Sequence, residues 1–193
     1  NIGHYHNGLV LGLATLFMLC GSMNFGLHVL VVRQRSLSPL RHQPELKTFL
    51  KWTIGTILLC LANAFAHHAI TLNAHSIMTW IMTCTAMIST TGLQTTNFAH
   101  WPTFCPILLM LVAMIGGCSG STSGGIKMAG WMVIQKEVAC LIKQTLHPRA
   151  VVSVFQESFK VSEKMVTAIR GFLCLTLMLY VMLLLGFMAM GYD

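Results

Sequence analysis

Charge is scarce in this sequence, and acidic charge is scarcest. Five Asp and Glu stand against twelve Lys and Arg, together 9% of 193 residues. A soluble domain carries roughly 25% charged residues, so this chain lacks the means to cover a water-facing surface. The gaps say more than the total. No Lys, Arg, Asp or Glu occurs from residue 1 to 32, and none from 52 to 126. Uncharged runs of that length belong in lipid or inside a membrane bundle. Paired cysteines are also missing. The seven (Cys20, Cys60, Cys84, Cys105, Cys118, Cys140 and Cys174) are dispersed, without a Cys-x-x-Cys pair. That excludes a disulfide framework and a zinc site and leaves them as small apolar packing residues. No charged n-region or cleavage site follows Asn1, so the chain reads as an internal segment without a signal peptide.

What is present is apolar: 55% of residues are hydrophobic and the mean hydropathy is +0.71. The net charge of +7 does not point to nucleic acid, because the basic residues flank apolar spans, as in membrane proteins. Those flanks are expected either to contact anionic membrane lipid headgroups or to serve as docking surfaces. Spans are expected over Gly8 to Val32, from about Trp52 to Ala66, from near Thr103 toward Ile134, and over Gly171 to Met190. Eleven of the twelve basic residues lie in two connecting segments, 33–51 and 136–170. The positive-inside rule assigns both to the cytoplasm, which leaves the 67–101 region and both ends of the chain outside.

One apolar stretch breaks this alternation. Ser76 to Ser89 is too short to span, and a crossing there would invert everything after it. A run of 10–14 apolar residues fits a re-entrant helix. Asn73 and Ser76 are helix starts, Thr90-Thr91-Gly92-Leu93 ends the helix, and Trp101-Pro102 opens the next span. A half-helix ending near the midplane aims its negative dipole end there, which favours a cation. The polar turn Ser89 to Leu93 resembles the Thr-Val-Gly type of filter, whose carbonyls replace the hydration shell of potassium. Gly92 permits the positive φ such a turn needs. Taken alone, a Thr-Thr-Gly is also an ordinary polar turn between helices.

A second constellation interrupts the third span: Gly116, Gly117, Cys118, Ser119, Gly120, Ser121, Thr122, Ser123, Gly124, Gly125, Ile126 and Lys127. Broken-helix amides cannot face lipid, so this stretch is expected to line a cavity as a flexible intramembrane loop. A small-residue helix-packing face is the plainer alternative. A phosphate-binding loop is excluded, because Ile126 separates Gly125 from Lys127 and Met128 follows.

The Thr90 to Leu93 turn, Trp101-Pro102, the Gly116 to Lys127 block and His147-Pro148-Arg149-Ala150-Val151 together resemble the Trk/Ktr potassium-uptake family in its Trk-type translocation subunit. Asn24-Phe25, Leu27-His28 and Arg35-Ser36-Leu37 fit it as well. The resemblance implies an all-α membrane fold of helix–re-entrant P-loop–helix repeats around a potassium-channel-like pore, with four full spans plus one half-helix here. On that plan residues 1–34 carry the last helix of repeat two and 35–51 a cytoplasmic link. Residues 52–135 hold the third repeat, with its P-loop at about 73–100 and the intramembrane loop at 116–127. Residues 136–170 form a second link, and 171–193 the first helix of repeat four. The resemblance further implies that Thr90, Thr91 and Gly92 bind K+ through filter carbonyls, with Leu93 just beyond. The 116–127 loop, Lys127 included, then obstructs the pore beneath. It also implies a bacterial inner-membrane location, a homodimer and a cytoplasmic nucleotide-binding regulatory subunit (TrkA-like). Potassium is then the transported ion, with no cofactor and no covalent chemistry. Without the other three filter segments the fragment is not expected to conduct selectively.

The remaining polar residues have plainer readings. Lys127 is either a functional cation in the membrane or a side chain snorkelling to the cytoplasmic surface. Asn24 and Asn63 are expected to make interhelical hydrogen bonds. His4, His6, His67, His68, His75 and His100 map outside, and His28, His42 and His147 map near the inner side. That mismatch in depth speaks against a haem or metal pair and for solvated or interfacial roles. The 14 methionines suit packing. A metal-binding membrane protein and a structural membrane scaffold are the rival functions.

Overall fold

The computed structural model describes residues 7–70, 73–93, 95–96, 101–147, 155–156, 159–160 and 162–191. His4, His6, His100, Arg149, Asp193 and residues 97–100 of the re-entrant segment lie outside these. The chain divides into two units, 1–129 and 130–193.

The first unit is built around a short central helix. Helix α1 (Gly8–Ser22) and α2 (Phe25–Gln34) share the first uncharged run, followed by the short α3 (Ser38–His42) and α4 (Pro44–Ala66). Then come α5 (Ala74–Ile88), α6 (Phe104–Ile115) and the start of α7 (Met128–Leu146). At a rise of 1.5 Å per residue, α4 is about 35 Å long and α5 only about 22 Å. Helix α4 is long and apolar enough to cross a bilayer; α5 is not. Helix α5 packs against α1, α4 and α6, so most of its surface is buried although it stops short. On one side Trp80 and Cys84 join Cys60 and Ala64 of α4 and Cys105 and Leu109 of α6. On the other, Met82 and Ala86 meet Leu11 and Met18 of α1. Cys60, Cys84 and Cys105 are wholly buried, the packing role expected of them. Three threonines on the buried face of α5 would each leave a hydroxyl unsatisfied. Thr79, Thr83 and Thr85 instead donate to the carbonyls of His75, Thr79 and Ile81, four residues back.

Two details depart from the expected spans. The 8–32 run is not one straight helix: α1 and α2 meet at 98° across Met23 and Asn24. The third span is likewise two helices, α6 and α7, separated by residues 116–127. Helices also reach into both basic links, since α4 begins at Pro44 and α7 continues to Leu146.

The second unit carries the rest of α7, a two-residue antiparallel pair β1 (Phe155–Gln156) and β2 (Phe159–Lys160), and α8 (Glu163–Ala189). Helix α8 has a mean hydropathy of 2.4 over its most apolar window. Its large side chains from Leu175 to Met188 are exposed, as suits a helix surrounded by lipid or by other spans. Arg170 on α8 pairs with Glu137 on α7 at 3.3 Å.

Candidate functional site

The region after α5 turns back on the helix it leaves. Asn73 caps α5 by accepting the His75 amide, and the helix ends at Ile88. Thr95, beyond the turn, shares a 2.9 Å hydrogen bond with Thr83, well inside α5. Farther along, Trp101 stacks on Trp80 with centroids 3.5 Å apart and planes within 7°. The pairs 83 with 95 and 80 with 101 diverge in sequence as they climb the helix. That is the register of a hairpin: the chain descends along α5 and returns beside it. Leu93 packs on the α1–α5 cluster.

At the tip, the amides of Thr90, Thr91 and Gly92 all point back to the helix end. They donate to Met87 O (3.1 Å), Ala86 O (3.0 Å) and Ala86 O (3.2 Å). Ser89 Oγ and Thr91 Oγ1 share a 2.7 Å bond. No hydrogen bond among the described residues ends on the carbonyl oxygens of Thr90, Thr91 or Gly92. The turn requires φ +54° at Thr90 and +71° at Gly92. For Gly92 that region is free of strain. For β-branched Thr90 it is a genuine outlier, and outliers of this kind persist only where the surroundings hold them. What holds Thr90 is its hydroxyl, which accepts the Gly124 amide at 2.7 Å.

That bond joins the turn to the 116–127 loop. The loop is irregular, yet most of its amides find partners. Ile126 and Lys127 donate to Met114 O and Ile115 O, closing the end of α6, and Met128 donates to Gly117 O. The other partners come from the break between α1 and α2. A helix end leaves its last carbonyls without partners. Here Cys118 donates to Ser22 O (2.9 Å) and Thr122 to Gly21 O (3.2 Å), while the His28 ring reaches back to Cys20 O (2.9 Å). Phe25 returns a bond to Gly120 O. The two breaks complete each other. Gly116 is obligatory for a steric reason: a Cβ there would lie 2.0 Å from Gly124 O.

Lys127 does not extend away from the protein. Its ammonium donates to Ser121 O at 3.3 Å and to Ser123 O, so it folds back over the loop. Asn24, expected to bridge helices, instead caps α2 by accepting the Gly26 amide. Asn63 does bridge, accepting from Cys105 Sγ at 3.6 Å. Three features escaped the sequence reading: the α1–α2 break, the Thr90 hydroxyl contact, and Glu45. The first had a signal in Gly21-Ser22 followed by the capping Asn24. Glu45 had none. Its Oε1 accepts the Ser119 amide at 2.6 Å and the Ala129 amide at 3.2 Å.

A short helix whose following turn packs back on it, set against a broken helix whose loop draws partners from a second break, defines a polytopic membrane protein of the re-entrant pore-loop class. Within that class the chain belongs to the TrkH family of cation transport proteins, whose family model matches residues 2–191. It is 28% identical over 193 residues to the Trk system potassium uptake protein TrkH of Escherichia coli K12, and 31% identical to TrkG of the same strain. Each alignment covers all of this chain and 40% of the relative. The crystal structure of the potassium transporter TrkH from Vibrio parahaemolyticus superposes with a TM-score of 0.90 at 28% identity, covering 100% of this chain and 42% of that one. The chain thus spans about two-fifths of the relatives it matches.

Proposed function

We propose that this chain supplies one quarter of a potassium-selective pore. Potassium entering from outside loses water to carbonyls that include those of Thr90, Thr91 and Gly92. It then passes the 116–127 loop before reaching the cytoplasm, driven by the membrane potential. The observation that carries this reading is the tip of the re-entrant hairpin. Its amides are turned inward to the helix end, so its carbonyl oxygens are free for a dehydrated cation. The reading is transport rather than catalysis.

On the same reading, residues 1–34 close the second repeat, 52–135 form the third, and 171–193 open the fourth, joined by cytoplasmic links at 35–51 and 136–170. The whole protein sits in a bacterial inner membrane as a homodimer, with a nucleotide-binding regulatory subunit on the cytoplasmic face. The test is rubidium uptake by the full-length protein in a potassium-uptake-deficient cell. Uptake that saturates and is inhibited by K+ but not Na+ is the expected result; no uptake by correctly inserted protein refutes the pore.

A further inference from the structure

Glu45 is the single acidic residue among residues 1–129, in a segment otherwise rich in Arg and Lys. At the first turn of α4 a carboxylate is favoured by the helix dipole. Among the described residues it pairs with no basic side chain. Its half-buried carboxylate turns toward the loop instead. One oxygen accepts the Ser119 amide near the loop's start and the Ala129 amide just beyond its end. Residues ten apart are stapled at a single atom.

We propose that Glu45 is a positioning residue that latches the 116–127 loop in its obstructing conformation and links that loop to the segment preceding α4. This rests on the reading of the loop as a gate. The loop's other ties do not duplicate the latch. The bonds to Gly21 and Ser22 hold residues 118–122 to the α1–α2 break, and the Thr90 bond holds Gly124. The amides of Ile126, Lys127 and Met128 also close the loop's end on Met114, Ile115 and Gly117, but among the described residues only Glu45 ties both ends of the loop to α4, and hydrogen bonds to a charged acceptor are the stronger kind. The carboxylate belongs to the first turn of a helix that starts just after the basic residues 33–42. Any displacement of that turn withdraws the acceptor from both amides at once.

The test uses the full-length protein in membrane vesicles, with rubidium flux and peptide-resolved N-ethylmaleimide labelling of Cys118 measured together. Cys118 is 1% exposed and adjoins Ser119, so its labelling reports loop release. Glu45→Ala is expected to raise both basal flux and Cys118 labelling about tenfold, from loss of a charge-assisted pair of bonds. Glu45→Gln keeps a carbonyl oxygen at the same reach without the charge and is expected to fall between the native protein and the alanine variant in both readouts, a grading that a merely structural role would not require. Glu45→Asp keeps the charge for the helix but withdraws it by one methylene; it is expected to behave like the alanine variant and carries the test if that variant fails to accumulate. Unchanged labelling, with or without a change in flux, overturns the latch. Increased labelling with unchanged flux upholds the latch and overturns the loop as gate.

Discussion

Gly92 and Thr90 lie two residues apart in the same left-handed backbone region, yet substitutions should act on them by different routes. At Gly92 an added Cβ meets nothing within 4 Å, so the cost is backbone strain alone, roughly 1–2 kcal/mol. Gly92→Ala is therefore expected to leave the protein folded while re-aiming the neighbouring carbonyls. The measurement is rubidium uptake against competing sodium. Preference for potassium should fall, and retained selectivity would dissociate the turn from the filter. Thr90 is already strained, and its hydroxyl is the contact that repays it. Thr90→Val keeps the branching but removes the acceptor of the Gly124 amide. Thr90→Ser keeps the acceptor. The valine variant should leak rubidium under conditions in which wild type and the serine variant are tight. Equal tightness in all three would show that the turn and the loop are not coupled through this bond.

The 116–127 loop and the α1–α2 break are two interruptions that would each be untenable alone at membrane depth, because helix ends expose carbonyls and amides that lipid cannot satisfy. Joined, they supply one another with partners. This makes the pair cooperative, and damage to one should disturb the other. Gly116 is where that can be tested. A Cβ there meets the backbone oxygen of Gly124, which cannot move aside as a side-chain tip could. Gly116→Ala is expected to break the loop's path and cost at least about 1–3 kcal/mol. Thermal unfolding in detergent should shift downward, and labelling of Cys118 should rise. A variant with native thermal stability would mean the loop has room that the described backbone does not show. Helix α5 faces the opposite problem. It is too short to cross, so it depends on neighbours on nearly every side, and its threonine hydroxyls return to their own backbone to avoid cost.

For the whole molecule, the distribution of basic residues sets orientation. If 33–51 and 136–170 face inside, as the positive-inside rule expects, the segment after α4 is expected outside and α5 is expected to enter from there. A reporter enzyme active only in the periplasm should function when fused after residue 70 and fail when fused after residue 146. Activity at both fusions would break the alternation and with it the re-entrant path. Eleven of twelve basic residues fall in the two links. The exception, Lys127, has carbonyl partners within the loop that make its position tolerable without a carboxylate.

The apolar runs that become α4 and α8, and the short helix α5 with its turn, were legible from residues alone. Each follows from a local quantity: the length of an uncharged run, or a helix too short for the bilayer beside a glycine turn. Gly92 at positive φ and Asn73 as a cap belong to the same class, since backbone preference is a property of one residue and its immediate neighbours. The bend at Asn24 was half-visible, because a capping residue stood inside an apolar run, but length outweighed it. What needed the folded chain were partnerships between distant residues. Glu45 lies 74 positions from Ser119, Thr90 lies 34 from Gly124, and the carbonyls of Gly21 and Ser22 wait for amides nearly a hundred residues later. No pattern of hydrophobicity or charge encodes such pairs. They arise because helices packed around α5 bring two broken backbones to the same place, where each unsatisfied group must find a partner or leave the membrane.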